Sequence, residues 1–129
     1  MAYLIVFLGG GLGSMLRHGV NVTAARWFGT AFPFGTVTVN ISGSLLMGLI
    51  AGWFAFKGEA SFSGHLQHWR LLLTTGVLGG YTTFSAFSLD AALLHERGET
   101  ALALAYVLGS VALSVAGLFA GLWLVRQMS

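Results

Sequence analysis

The chain contains no cysteine, a single proline and few charged residues. Without cysteine it can form neither a disulfide nor a thiolate metal site, and thiol catalysis is excluded. Only 8% of its 129 residues are charged and 56% are hydrophobic, with a mean hydropathy of +0.82. Because soluble domains contain about 25% charged residues, this composition predicts an integral membrane protein.

The basic residues are scattered singly along the chain, although the net charge is +2. Nucleic acids and anionic lipids recruit clusters of Lys and Arg, so we expect no nucleic-acid partner. The apolar N-terminus lacks the preceding basic residues of a cleaved signal peptide. We interpret it as the start of a permanent helix in the lipid bilayer.

A membrane-spanning helix needs about 20 mostly apolar residues, and the chain has four such segments. They run from about residues 2 to 27, 34 to 56, 68 to 94 and 99 to 125. The first segment is interrupted by glycines at 9–13 and by Arg17 and His18, and a polar loop at 57–67 precedes the third. The pattern predicts an all-α membrane protein with four transmembrane helices in one domain, residues 1–129.

The third segment contains the sequence GVLGGYTTFSAFS at residues 76–88. Glycines and clustered hydroxyls weaken a helix, and backbone groups freed at membrane depth need protein or water as partners. We therefore predict that the third helix is broken in the middle and that the break marks a functional site. Close packing between helices is the alternative explanation.

Polar and aromatic residues on other segments extend this candidate site. Tyr106, Ser110 and Ser114 recur at i, i+4 and i+8, so they share one helix face with a glycine stripe that packing alone would explain. Asn40 is costly to bury and needs either a neighbouring helix or a passing ligand as its partner. We favour a ligand pathway over interhelical contact.

Phe84 and Phe87 lie one helical turn apart, and aromatic ring edges carry the positive part of the ring quadrupole. An anion could contact those edges, although two core aromatics would have the same spacing. Arg17 could attract anions from a water-filled vestibule, pair with a helix C-terminus or snorkel. Only Asp90 approaches the membrane interior among the acids, so proton-coupled export is poorly supported. No catalytic motif is present, and we expect no enzyme activity.

Basic residues near the two membrane faces show no clear bias, which bears on orientation. Lys57, Arg70 and Arg126 fall on one side, and Arg26, Arg97 and, less clearly, Arg17 fall on the other. Without a bias the chain can insert both ways, and two opposed copies can form a two-fold dimer. A single orientation fixed by lipid or by a partner is the alternative.

Taken together, GTVTVN at 35–40, GGYTTFSAFS at 79–88, Arg17 after a Gly-rich first helix and the four-helix length resemble the Fluc/CrcB family of fluoride channels. The resemblance covers nearly the whole chain. It implies an antiparallel dual-topology homodimer in the bacterial cytoplasmic membrane, with two pores for passive fluoride export. It also implies fluoride resistance and a structural sodium ion at the dimer axis.

The resemblance assigns roles to individual positions. It places in the fluoride pathway Phe84, Phe87, Asn40, Ser110, Ser114 and Tyr106, with Ser85 and Arg17 beside them, and it gives the sodium ion the backbone carbonyls of Gly79 and Thr82. One position departs from the family pattern: Ala86 stands where Thr is frequent. Ser85 and Ser88 are the nearest substitutes for that hydroxyl.

Two other functions share some of these features. A small dual-topology multidrug exporter has four helices and weak charge bias, but such exporters use a glutamate in the first helix, which this chain lacks. Resistance to aromatic cations would favour that function. A nonconducting accessory subunit would explain the Gly-rich faces, and purification with an unrelated membrane partner would favour it.

Overall fold

The computed structural model describes residues 1–56 and 64–129, and all regular structure within them is helical. In chain order the elements are α1 (Ala2–Phe28), α2 (Phe34–Phe56), α3 (Gly64–Leu71), a π-helix (Leu72–Leu78), α4 (Gly79–Tyr81), α5 (Phe84–Glu96) and α6 (Thr100–Gln127). The stretch from α3 to α5 forms the third of four successive helical units. Lys57 and most of the predicted polar loop lie outside the described residues.

Two predictions about the helices are wrong. The third helical unit begins at Gly64, four residues before the predicted start, because the hydrophilic residues of α3 are helical and apolar content marks only the membrane part of a helix. The glycines at 9–13 do not interrupt α1, which is continuous from Ala2 to Phe28. Gly9, Gly10 and Gly13 lie instead where α1 contacts the π-helix and α4.

Within the described residues, three helical stretches are long and apolar enough to cross a membrane: Phe34–Phe56, Gly64–Glu96 and Thr100–Gln127. The first helix is not among them, since its glycines, Arg17 and His18 lower its hydropathy. Large apolar side chains nevertheless point outward along the chain, Phe7 and Phe119 among them. Such a surface is suited to lipid and not to water, and the chain is a multi-pass membrane protein.

Glycines allow the helices to approach closely at two interfaces. A Cβ added at Gly9 would lie 2.9 Å from the Gly76 Cα, where α1 crosses the π-helix. A Cβ added at Gly121 would lie 2.5 Å from the Leu45 carbonyl oxygen, where α6 packs on α2. Both approaches are backbone to backbone, which is the packing that membrane helices use.

Candidate functional site

Two extended residues separate α4 from α5. Thr82 has φ −83° and ψ 157°, and Thr83 has φ −153° and ψ 121°. The Thr83 side chain caps α5, because its Oγ1 accepts a hydrogen bond from the Ala86 N–H at 3.2 Å. Thr is one of the residues favoured at an N-cap. The Thr83 cap therefore explains why α5 begins at Phe84.

The Asn40 side chain of α2 bonds the backbone of Thr83 in both directions. Its Nδ2 donates to the Thr83 carbonyl at 3.0 Å, and its Oδ1 accepts from the Thr83 N–H at 2.8 Å. The amide therefore satisfies backbone groups that a continuous helix would have paired internally. The partner that Asn40 requires is a neighbouring segment of its own chain, and one Nδ2 hydrogen remains available.

Three further side chains from α1 and α2 bond the residues just before Thr83. Ser14 Oγ donates to the Gly80 carbonyl at 3.5 Å, Ser42 Oγ lies 3.0 Å from the Tyr81 hydroxyl, and Arg17 Nη1 donates to the Thr82 carbonyl at 3.4 Å. With Asn40 on Thr83, four consecutive residues each have a side-chain partner on α1 or α2. The segment of residues 80–83 is held from both sides.

A groove of about 270 Å³ lies beside this segment. It is lined by Asn40, Ser44, Thr82, Thr83, Phe84, Phe87, Ser110, Val111, Ser114 and Val115. Five of the predicted pathway residues therefore meet at one place, contributed by α2, α5 and α6. None of the lining side chains is charged, and six of the ten carry a hydroxyl or an amide.

The two α6 serines in the groove differ from most other helix hydroxyls. Thr38 and Ser88, for example, donate to the carbonyl four residues earlier in their own helices, at 2.8 and 2.9 Å. The Oγ atoms of Ser110 and Ser114 are buried and have no hydrogen-bond partner among the described residues. Leaving a buried hydroxyl unpaired costs about 1–3 kcal/mol, so both donors are free to bond a partner that reaches them.

The aromatic residues form a continuous row along the same groove. Phe84 and Phe87 have ring centroids 5.5 Å apart at 48°, and Phe87 and Tyr106 follow at 5.2 Å. Phe87 is buried, whereas Phe84 is 77% exposed and forms the rim. A ring this exposed on a single copy faces either lipid or another protein surface.

Three predicted pathway residues do not line the groove. Tyr106 is buried behind Phe87, where its hydroxyl donates to Asp90 Oδ2 at 3.1 Å. Ser85 is exposed on α5 with its Oγ 3.3 Å from Thr83 Oγ1. Arg17 reaches the Thr82 carbonyl from α1 and is absent from the lining. These side chains contact groove residues without facing the groove.

Ala86, the position that departs from the family pattern, lines a different cavity from the groove. That cavity, of about 290 Å³, also contacts Asn21, Thr36 and Asp90. Successive residues of α5 point in different directions, so Phe87 faces the groove and Ala86 does not. Ser88, the other proposed substitute, is exposed and bonded to the Phe84 carbonyl.

Of the two carbonyls predicted for sodium, that of Gly79 has lost the N–H of a continuous helix and that of Thr82 accepts from a cationic side chain. The Thr83 N–H, which would pair with the Gly79 carbonyl in a continuous α-helix, is used by Asn40. The Thr82 carbonyl accepts from Arg17 and keeps a second lone pair. Hard cations prefer such oxygens. Among the described residues, no group of three His, Asp or Glu side chains offers another metal site.

The prediction omitted part of the lining. Ser44 lies one turn after Asn40 on α2, and Val111 and Val115 each follow a lining serine on α6. The i+4 spacing from Asn40 was a usable signal for Ser44. The valines had none, because an apolar residue on an apolar helix has no distinguishing pattern. Thr83 could have been predicted from its N-cap position.

Fold and groove together define a small multi-pass helical membrane protein with an uncharged, hydroxyl-lined groove. The chain belongs to the CrcB family: the family model described as CrcB-like protein, Camphor Resistance (CrcB), matches residues 4–122. The predicted family resemblance is confirmed.

Curated relatives match over nearly their whole length. The chain is 66% identical to the fluoride-specific ion channel FluC of Rhodopseudomonas palustris strain BisB5 and 64% identical to FluC 2 of Nitrobacter hamburgensis, with 100% of each chain covered. It is 56% identical to FluC of Granulibacter bethesdensis, over 99% of this chain and 97% of that one. Membership in a family of ion channels agrees with the expectation that the chain is not an enzyme.

Proposed function

We propose that the chain is a fluoride-selective ion channel through which fluoride leaves the cell passively across the cytoplasmic membrane. The single observation that carries this proposal is the pair of buried, unpartnered hydroxyls of Ser110 and Ser114 in the groove. An anion with a tightly held hydration shell passes only where the protein supplies substitute donors. The names of the close relatives favour fluoride as that anion.

Other features of the groove suit an anion. The N-terminus of α5 begins at Phe84 on the groove rim, and helix N-termini favour negative charge. The edges of Phe84 and Phe87 present the positive part of the ring quadrupole. No lining carboxylate repels an anion, and no lining cation holds it too tightly to leave. We assign the lining role to Asn40, Phe84, Phe87, Ser110 and Ser114, with Tyr106, Ser85 and Arg17 supporting them.

The groove also supports an antiparallel homodimer. Polar groups at membrane depth are tolerated where protein or water covers them and not against lipid. A second copy of the chain would cover the exposed Phe84 rim, and with two-fold symmetry the pair would contain two pores. The balanced basic residues favour opposite insertion of the two copies. In this arrangement four helices of each copy cross the membrane, and the third is broken at Thr82 and Thr83.

A sodium ion at the dimer axis completes the proposal. The carbonyls of Gly79 and Thr82 would hold it, and two copies would supply four oxygens. Its role would be structural, because it would join the broken segments of the two copies. Transport itself depends on side chains of the groove.

Reconstitution tests the transport function. Liposomes that contain the purified chain are loaded with potassium fluoride or potassium chloride, and efflux is followed with ion-selective electrodes after a potassium ionophore is added. We expect fast fluoride efflux, slow chloride efflux and no efflux from protein-free liposomes. Absent fluoride efflux, or equal efflux of the two anions, would contradict the proposal.

The absence of native cysteine makes orientation directly measurable. A single cysteine introduced as Glu99→Cys, in the turn before α6, is labelled with a membrane-impermeant maleimide from one side of the bilayer. Dual topology predicts about half of the molecules labelled from each side, as expected without a charge bias. Labelling from one side alone would contradict opposite insertion.

A further inference from the structure

The hydroxyl of Tyr81 makes a directed contact with α2 that the groove lining does not explain. Ser42 Oγ donates to the Thr38 carbonyl at 2.6 Å, so its single hydrogen is already used. The Tyr81 hydroxyl, 3.0 Å away, must therefore be the donor to Ser42 Oγ. The contact is partly buried and joins residues 39 positions apart in the chain.

A glycine next to Ser42 makes room for this contact. A Cβ added at Gly43 would lie 3.2 Å from Cδ1 of the Tyr81 ring and still closer to the Thr82 methyl. The Tyr81 ring and the Thr82 side chain thus lie against bare backbone of α2. Tyr81 is fixed by packing on Gly43 and by one hydrogen bond to Ser42.

Tyr81 directly precedes groove-lining residues in the sequence. Thr82 and Thr83 line the groove directly after Tyr81, and Phe84 at its rim follows them. Asn40 bonds Thr83 from the same helix that bonds Tyr81. Two anchors on α2 therefore flank Thr82, and loss of either anchor would let Thr82, Thr83 and the start of α5 move.

We propose that Tyr81 and Ser42 are positioning residues of the groove: their hydrogen bond fixes the extended residues Thr82 and Thr83 and, through them, the rim ring Phe84. Neither residue lines the groove of its own chain. The consequence for transport rests on the proposed fluoride-channel function. The structural consequence is that residues 80–86 are more rigid, and it does not depend on that function.

A double-mutant cycle with two measurements tests this proposal. Tyr81→Phe removes the donor and keeps the ring, Ser42→Ala removes the acceptor together with its bond to the Thr38 carbonyl, and the double variant removes both groups. Amide hydrogen exchange of residues 80–86 should become about twofold to tenfold faster, the change expected from loss of one hydrogen bond. The double variant should change exchange by less than the sum of the two single variants, because the two groups share one hydrogen bond. Fluoride efflux should fall in the same three variants.

Tyr3→Phe is the matched control, because Tyr3 is 94% exposed on α1 and far from the groove in the chain. We expect both measurements to match the wild type. Unchanged exchange at residues 80–86 in Tyr81→Phe, or changes that add in the double variant, would overturn the positioning role even if efflux falls. If the wild type shows no fluoride efflux but exchange rises as described, the proposed function fails and the positioning role stands.

Discussion

Two stretches of α6 use small residues in different ways. In the middle of the helix, Ser110 and Ser114 line the groove and their hydroxyls have no partner among the described residues. In the C-terminal half, Gly117 and Gly121 lie against the α2 backbone. Small residues in a membrane helix therefore serve either close packing or access to a polar space. What lies opposite each residue decides between the two.

The largest loss of stability should come from the stretch of α6 that packs on α2. Gly121→Ala adds a Cβ that would lie 2.5 Å from the Leu45 carbonyl oxygen and 2.7 Å from the Leu49 nitrogen. Backbone atoms cannot move aside alone, so α6 and α2 must separate. We expect thermal unfolding of the purified protein to show a loss of about 1–3 kcal/mol or more.

Gly109→Ala is the control on the same helix, because a Cβ there would meet nothing within 4 Å. Its stability should equal that of the wild type or exceed it slightly, since alanine favours helix. Equal stability of the two variants would show that the close approach at Gly121 does not determine α6 packing.

A smaller effect separates the two groove phenylalanines. Phe84→Ile and Phe87→Ile both remove ring edges; with an ion–edge contact taken as equal to an aromatic pair, about 0.5–1.5 kcal/mol, fluoride efflux from liposomes should fall by up to about tenfold in each. Only Phe87→Ile should also lower the thermal midpoint, because Phe87 is buried and Phe84 is exposed. Unchanged efflux in Phe84→Ile would show that the rim ring does not meet the ion.

A smaller change in stability tests whether the Ser110 hydroxyl lacks a hydrogen-bond partner. Ser110→Ala removes a buried group with no hydrogen bond, so thermal stability should stay equal or rise by about 1 kcal/mol. Thr38→Ala serves for comparison, since Thr38 is bonded to its own helix. A clear loss of stability in Ser110→Ala would mean that the hydroxyl is already paired.

The smallest effect concerns the family departure at position 86. Ala86 lines the cavity beside Asp90 and not the groove, so Ala86→Thr should leave fluoride efflux close to that of the wild type. The measurement compares fluoride efflux from liposomes that contain this variant with efflux from liposomes that contain the wild type. A large increase would place position 86 on the ion's path.

The sequence predicted the helices well where composition alone decides them. The bounds of α2 agree residue for residue with the predicted second segment, because a proline and a lysine bracket a mostly apolar run. The start of α3 was missed because its residues are hydrophilic. When the end of a helix is hydrophilic, no apolar pattern distinguishes it from a loop.

Convergence at the groove was also predictable in part. Polar residues are rare enough in this chain that Asn40, Ser110 and Ser114 stand out, and the structure places them together. Residue spacing could not show that both the oxygen and the nitrogen of the Asn40 amide bond Thr83. Nor could it show that the Tyr106 hydroxyl donates to Asp90. Those outcomes depend on the distances between helices, which residue periodicity does not encode.

The most direct test of the central claim is fluoride efflux from liposomes that contain the Ser110→Ala/Ser114→Ala double variant. Thr23→Ala, an exposed helix hydroxyl bonded to its own backbone, is the control. We predict that efflux falls at least about tenfold in the double variant, as expected when an ion loses charge-assisted hydrogen bonds, and stays at the wild-type rate in the control. Wild-type efflux in a folded double variant would contradict the claim that these two hydroxyls replace the ion's water.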